Sequence, residues 1–320
     1  MPLSDDPQVV QTSSNLVATL KAAFGTPKGF RPAHARGILL TGSFVPSTTA
    51  GILSTAKHFH DPATSVTVRF SSSTGIPEIP DTDPNANPRG FAIRFHLGND
   101  ESGKRVHTDI VTHSTPFFPT KTGEEFLQFV QALGTSGPDA PHPTPLEQFL
   151  ASHPETLSFV QESKPSPLSF ATEAYFGVNA FKLVDSTGKA TFIRYRVVPV
   201  QGVHTLDEAA LKSKDPNYLY EEIAKRVQEE AVGFKLFAQV AEDGDITDDA
   251  TIHWPEGRQL VELGELTLTN VVPQSQSANE QKHIIFDPIP RIKGVEPSDD
   301  PLLDVRASVY LISGRERRAA

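Results

Sequence analysis

Apolar residues recur along this chain in two periods. Val9, Val10, Leu16, Val17, Leu20 and Ala23 fall at mixed three- and four-residue spacings that stop at Gly25, which predicts an amphipathic helix over about Pro7 to Phe24. Phe126, Leu127, Phe129 and Val130 give a second helical face within 123–133. Leu219, Ile223, Val227 and Ala231, four apart, predict a third helix over 218–232. Elsewhere the period is two. Ile38 to Phe44 reads as a strand beginning at Gly37, and Val66, Val68 and Phe70 alternate with Thr67, Arg69 and Ser71 through 65–73. Arg89 to His96 alternates in the same way, and Phe192 to Pro199 alternates behind a Ser186-Thr187-Gly188 turn, an antiparallel hairpin. Segments 234–241 and 259–272 read as strands around an acidic loop at 242–249. Strands and helices in no strict alternation predict an α+β protein with a mainly antiparallel sheet.

Composition narrows the function. The 320 residues are 38% hydrophobic, enough for a real core, and no composition shift or linker divides them, so one domain over 1–320 is expected, with 1–27 as an N-terminal helix and arm. A net charge of −10 without a long basic run argues against nucleic acid. The acidic Met1-Pro2-Leu3-Ser4-Asp5-Asp6 start and the lack of an 18-residue apolar run predict a soluble, cytoplasmic protein with no membrane partner. There is no cysteine, which excludes a disulfide framework, a cysteine nucleophile, an iron–sulfur cluster and a thiolate haem ligand. The only Met is the first residue, so an axial ligand to iron would have to be His or Tyr.

Two metal patterns fail on inspection. The acids from Asp81 onward begin like a calcium loop, but Ala86 and Ala92 stand where Gly and Glu are needed. His58 and His60 would point the same way on a strand, yet no third ligand accompanies them, and surface histidines are the simpler account. One pair carries more. Arg306 and Tyr310, four apart in a helical setting, stack on one face, where a permanent cation beside the phenol favours tyrosinate.

In order along the chain, Arg31-x-x-His34-Ala35-Arg36-Gly37, Val68-Arg69-Phe70-Ser71, Asn87-Pro88-Arg89-Gly90-Phe91-Ala92 and Arg306-x-x-x-Tyr310 resemble the segments that build the haem pocket of the haem catalases. Further matches at 181–185, 264–270, 285–288 and 294–296 extend the likeness over roughly 28–317. The resemblance implies a closed antiparallel β-barrel with surrounding helices and haem b as cofactor. It implies Tyr310 as the iron ligand, Arg306 as the group that keeps it phenolate, His34 as distal acid/base and Ser71 as the partner of its other ring nitrogen. Arg31, Arg69 and Arg317 fall where the family binds haem propionates, and Phe126 where an aromatic packs on the distal side. The implied chemistry is heterolytic cleavage of a peroxide to a high-valent oxo-iron species, the protein supplying position and electrostatics.

Three departures qualify that likeness. His113 stands where catalases carry a distal Asn, and as a second imidazole it could donate to bound peroxide or accept its proton. Asn87 replaces the channel Asp, and the chain lacks the family's long C-terminal extension. The shorter chain resembles the catalase-related peroxidases, so hydrogen peroxide or organic hydroperoxides and a small organic electron donor are the expected partners, with weak catalase activity and a monomer or small homo-oligomer. A fatty-acid hydroperoxide isomerase of the allene oxide synthase kind is the second enzymatic reading, disfavoured by Ala33, where those enzymes have Thr. A haem-binding protein without catalysis is the third, and His34 with Ser71 argues against it.

Overall fold

The predicted N-terminal helix forms at Pro7–Phe24 (α1) in a computed structural model that describes residues 1–320. Asp6 caps it by accepting from the Gln8 N–H at 2.8 Å, and Pro7 supplies a preset first turn. Gly25, at φ 61°, closes it in the left-handed conformation that other residues resist. The other helices are α2 (Ala50–Leu53), α3 (Gly123–Gly134), α4 (Pro145–Ser152), α5 (Pro154–Gln161), α6 (Glu208–Lys212), α7 (Tyr218–Glu229), α8 (Gln274–His283) and α9 (Leu302–Ala319). None is long and apolar enough to cross a membrane.

The strands are β1 (Gly37–Pro46), β2 (Thr64–Ser71), β3 (Gly90–Asn99), β4 (Arg105–His113), β5 (Tyr175–Phe176), β6 (Phe181–Val184), β7 (Ala190–Pro199), β8 (Val232–Val240), β9 (Leu260–Val271) and β10 (Val295–Pro297). They pair antiparallel in the order β10-β6-β7-β5-β4-β3-β2-β1-β9-β8, and β7 pairs again with β8. That last pairing closes eight strands into a barrel, with β6 and β10 as an appended edge. Closure removes the unpaired edges an open sheet would present.

Alternation decides what lies inside. Val66, Val68 and Phe70 of β2, Phe91, Ile93 and Phe95 of β3, and Phe234 and Leu236 of β8 fill the barrel with other strands' apolar residues. Phe70 and Phe170 stack at 5.1 Å, and Phe91 and Tyr175 at 4.9 Å. The residues between them, Arg69 and Ser71 on β2, Gly90 and Ala92 on β3 and His113 on β4, therefore share the outer face. Helix α9 packs against α1, and α1 against α3; Ser13 of α1 donates to the Val305 carbonyl and Thr12 to Glu124.

Two expectations are corrected. The 218–232 helix ends at Glu229, because Val232 is buried in the barrel wall and pairs with Leu268. His58 and His60 lie in and after a single 3₁₀ turn, not on a strand, and His58 is a core residue. Its ring packs on Phe59 at 4.0 Å and Phe95 at 4.7 Å, while His60 bonds the Ser54 carbonyl.

Candidate active site

Strand register assembles the site. Gly37, Ser71, Gly90 and His113 form one transverse row across β1, β2, β3 and β4. His34, on the loop entering β1, lays its imidazole over this row: its Nδ1 is 3.1 Å from Ser71 Oγ, and a Cβ on Gly90 would stand 2.9 Å from it. Any side chain at Gly90 would occupy the ring's place. The loop is held in an uncommon conformation, with His34 at φ 54°, and is tied down by the Ala35 N–H to the Thr74 carbonyl and the Ser72 N–H to Arg36. The next row, Leu39, Arg69, Ala92 and Val111, is small or apolar apart from the arginine, which leaves a flat wall beside the imidazole.

Helix α9 supplies Arg306, Tyr310 and Arg317. The Arg306 guanidinium donates to the Tyr310 phenol at 3.3 Å and lies 5.8 Å from its ring centre. Arg306 also donates to Asn179 Oδ1, and Asn179 donates to Asp300 Oδ2 at 2.7 Å. Sequence reasoning missed this Asn179–Asp300 support. Asp300 offered the signal of an acid just before the helix, whose Leu302 N–H it accepts, but nothing in the spacing ties residue 179 to 306. Both are buried, and burial raises the Asp300 carboxyl while its bond from Asn179 pulls the other way.

Three further guanidinium groups converge beside the phenol. Arg31 and Arg317 both donate to the Ile284 carbonyl at 3.0 Å, Arg69 donates to Gln281 and to the Ala35 carbonyl, and Arg317 to Ser313. All these acceptors are neutral oxygens, and the buried Arg317 Nε has none. Burial, then mutual repulsion, holds Arg31 well below its ordinary value; burial lowers Arg69 to about 10 and, with the Arg69 charge, Arg317 to about 10. Holding such charges out of water without a counter-ion costs several kcal/mol each, so the cluster is built for an anion. A largely apolar row beside His34, and a group of cations that reaches both His34 and, through Arg31, the Tyr310 phenol, fit a porphyrin with two carboxylates.

The His34 and His113 imidazoles are neutral at ordinary pH. Burial first, then Arg69, Arg31, Arg306 and Arg89, lowers His34 to about 4. Burial, with His34, Arg306 and Lys164, lowers His113 to about 3. A protonated His113 repelling other cations therefore plays no part above strongly acid pH. Phe126 on α3 belongs to a separate aromatic row, packed on Phe118 at 5.0 Å and Phe129 at 6.3 Å. Asn87 donates to the Lys164 carbonyl at 3.0 Å and leaves its own buried oxygen without a partner.

A closed barrel with this pocket on its outer wall defines an oxidoreductase of the catalase fold. The chain belongs to the catalase family, whose model matches residues 29–320 and whose members bind haem. It is 32% identical to the catalase-related peroxidase of Synechococcus elongatus over 96% of this chain and 88% of that one. With the catalase-related peroxidase of Mycolicibacterium paratuberculosis the identity is 31%, over 96% and 95% of the two chains. The fold is that of a fungal catalase, with TM-score 0.78 and 20% identity over 95% of this chain and 62% of that one.

Proposed function

We propose that this protein is a haem b peroxidase that reduces hydrogen peroxide or organic hydroperoxides at the expense of a small organic donor, with weak catalase activity. The observation that carries the reading is the convergence of Arg31, Arg69 and Arg317, none bonded to an anion, beside the Arg306–Tyr310 pair. In this reading Tyr310 is the iron ligand, Arg306 favours its phenolate, and the three arginines bind the two propionates. When bound, haem supplies the iron and the redox capacity that break the O–O bond.

The rest falls to this chain's side chains. Ser71 accepts from His34 Nδ1–H and so leaves Nε2 as the base; His34 takes the hydroperoxide proton and returns it to the departing oxygen. The largely apolar wall of Leu39, Ala92 and Val111 limits water at the reacting oxygens. His113 faces the same substrate.

The test is reconstitution with haem, then the absorption spectrum before and after one equivalent of peroxide, with oxygen release and oxidation of an aromatic donor followed together. A ferric tyrosinate spectrum changed by peroxide and restored by donor supports the peroxidase. Rearranged hydroperoxide without donor oxidation would replace it by the isomerase. A low-spin spectrum unmoved by peroxide would leave only a haem-binding protein.

A further inference from the structure

The amino-acid sequence leaves His113 two roles, donor to the substrate or acceptor of its proton, and the geometry separates them. The Thr115 N–H donates to His113 Nδ1 at 3.1 Å. A neutral imidazole carries one proton, so a ring whose Nδ1 accepts a hydrogen bond carries that proton on Nε2. The other tautomer would set two N–H groups against each other, with the Thr115 amide in a buried place and no second acceptor.

The amide cannot turn away. Ser114, between the two residues, is pinned at both ends to Arg89: its N–H donates to the Arg89 carbonyl at 2.8 Å, and its Oγ accepts from the Arg89 N–H at 2.9 Å. Arg89 is itself fully buried and bonded to Ser72 and the Asp81 carbonyl. Burial first, and then His34, Arg306 and Lys164 around it, disfavour a second proton on the His113 ring.

We propose that His113 is a fixed hydrogen-bond donor, locked as the Nε2–H tautomer by the Thr115 amide, and that it selects alkyl hydroperoxides by donating to their substituted oxygen. The distal pair is then complementary. In the peroxidase reading, where Ser71 Oγ accepts from His34 Nδ1–H across their 3.1 Å contact, His34 presents an acceptor to the O–H of the hydroperoxide. His113, anchored through Nδ1 to Thr115, presents only a donor. The oxygen bearing the alkyl group has lone pairs and no proton, which matches a donor-only partner. In hydrogen peroxide that oxygen carries a proton that His113 cannot accept, whereas an amide side chain there offers both a donor and an acceptor. Substrate selection rests on the peroxidase reading; the tautomer does not.

The two parts are tested separately. Protein labelled with ¹⁵N-histidine, without haem and again with zinc protoporphyrin, is followed by NMR from pH 8 to pH 5. The expected result is a His113 Nδ1 of the unprotonated, pyridine type and an Nε2 bearing the proton, unchanged across the range; a proton on Nδ1, or titration near 6.5, overturns the proposal. In the haem-loaded protein, His113→Asn is compared with wild type for kcat/KM with tert-butyl hydroperoxide and with hydrogen peroxide. The ratio is expected to fall about tenfold, the scale of one hydrogen bond. An unchanged ratio with the locked tautomer intact refutes the selection, while failure of the wild-type protein to react with either peroxide refutes the peroxidase reading.

Discussion

Gly90→Ala places one methyl group where the two distal hydrogen-bonding groups meet. Its Cβ would lie 2.4 Å from Ser71 Oγ, 2.9 Å from His34 Nδ1 and 3.1 Å from His34 Cε1. Non-bonded heavy atoms sit about 3.5 Å apart, so the overlap is about 1 Å on the serine and about half that on the ring. The backbone at Gly90 is not in the left-handed region, so the effect is purely steric. Ser71 is held by pairing on both sides of β2, and His34 is held by its loop, so the ring must move and the 3.1 Å bond must break. Overpacking of this kind costs about 1–3 kcal/mol of stability. Loss of a positioned acid/base costs about 10² to 10⁴ in rate. The assay is the second-order rate constant of the haem-loaded variant with peroxide, beside thermal unfolding, with Gly137→Ala as control because nothing lies within 4 Å of its added methyl. Adding Ser71→Ala to Gly90→Ala removes the closest overlap and should recover stability without recovering rate. Wild-type reactivity in Gly90→Ala, or a loss matched by Gly137→Ala, would refute the placement of His34 over Gly90 as the source of its reactivity.

Arg317→Leu should raise the melting temperature of the haem-free protein, by relieving repulsion with Arg69, and weaken haem uptake; titration with haem and calorimetry would show both shifts, and a lowered melting temperature with unchanged uptake would contradict an anion-binding cluster. Asn179→Leu removes the acceptor of Arg306 and the donor to Asp300, and should cost about 2 kcal/mol or more in urea unfolding while altering the ferric absorption spectrum; an unchanged spectrum would separate this support from Tyr310. Folded His34 and His58 bind protons only near pH 4 and pH 3, against 6.5 for free histidine, so the unfolded chain takes up more protons between these values. Stability of the haem-free protein is therefore full above pH 6.5 and falls as pH drops from 6.5 toward 4; urea midpoints that rise on acidification would be inconsistent with neutral buried rings. In the haem-loaded protein the acid limb of the peroxide rate should lie between about pH 4 and 6.5, and a limb above 6.5 would show that another group titrates.

Much of this was legible because strand alternation is strict. The alternation of Val66, Val68 and Phe70 with Arg69 and Ser71 already put the arginine and the serine on one face, and the structure makes that face the outer wall of the barrel. The α9 pair needed only helical spacing. What escaped was set by contacts between distant segments. Whether Gly90 faces Ser71 or its neighbour depends on register; the closed barrel itself was expected from the family resemblance, and the β7–β8 pairing that closes it is not readable from alternation. His58 looked like a surface residue because its aromatic partner Phe95 comes from β3, far along the chain. Val232 looked helical because it follows the four-spaced run of Leu219, Ile223, Val227 and Ala231, yet a β-branched residue gains more from joining the barrel wall opposite Leu268.

The arginine cluster and the distal imidazole also act on each other. Burial is the larger cause of His34's low proton affinity, and the Arg69 and Arg31 charges come next. Those two arginines belong to the group that a dianionic porphyrin would neutralise. Neutralising those charges would remove that part of what depresses the imidazole, so the two carboxylates of such an anion would act to make His34 a stronger base. By linkage the same coupling runs backwards, and a proton on His34 strengthens attraction for the anion. The haem-free pocket thus holds a weak base among uncompensated cations. Carboxylates paired to those cations would bring the base closer to the working pH, which is where general acid/base catalysis is most effective.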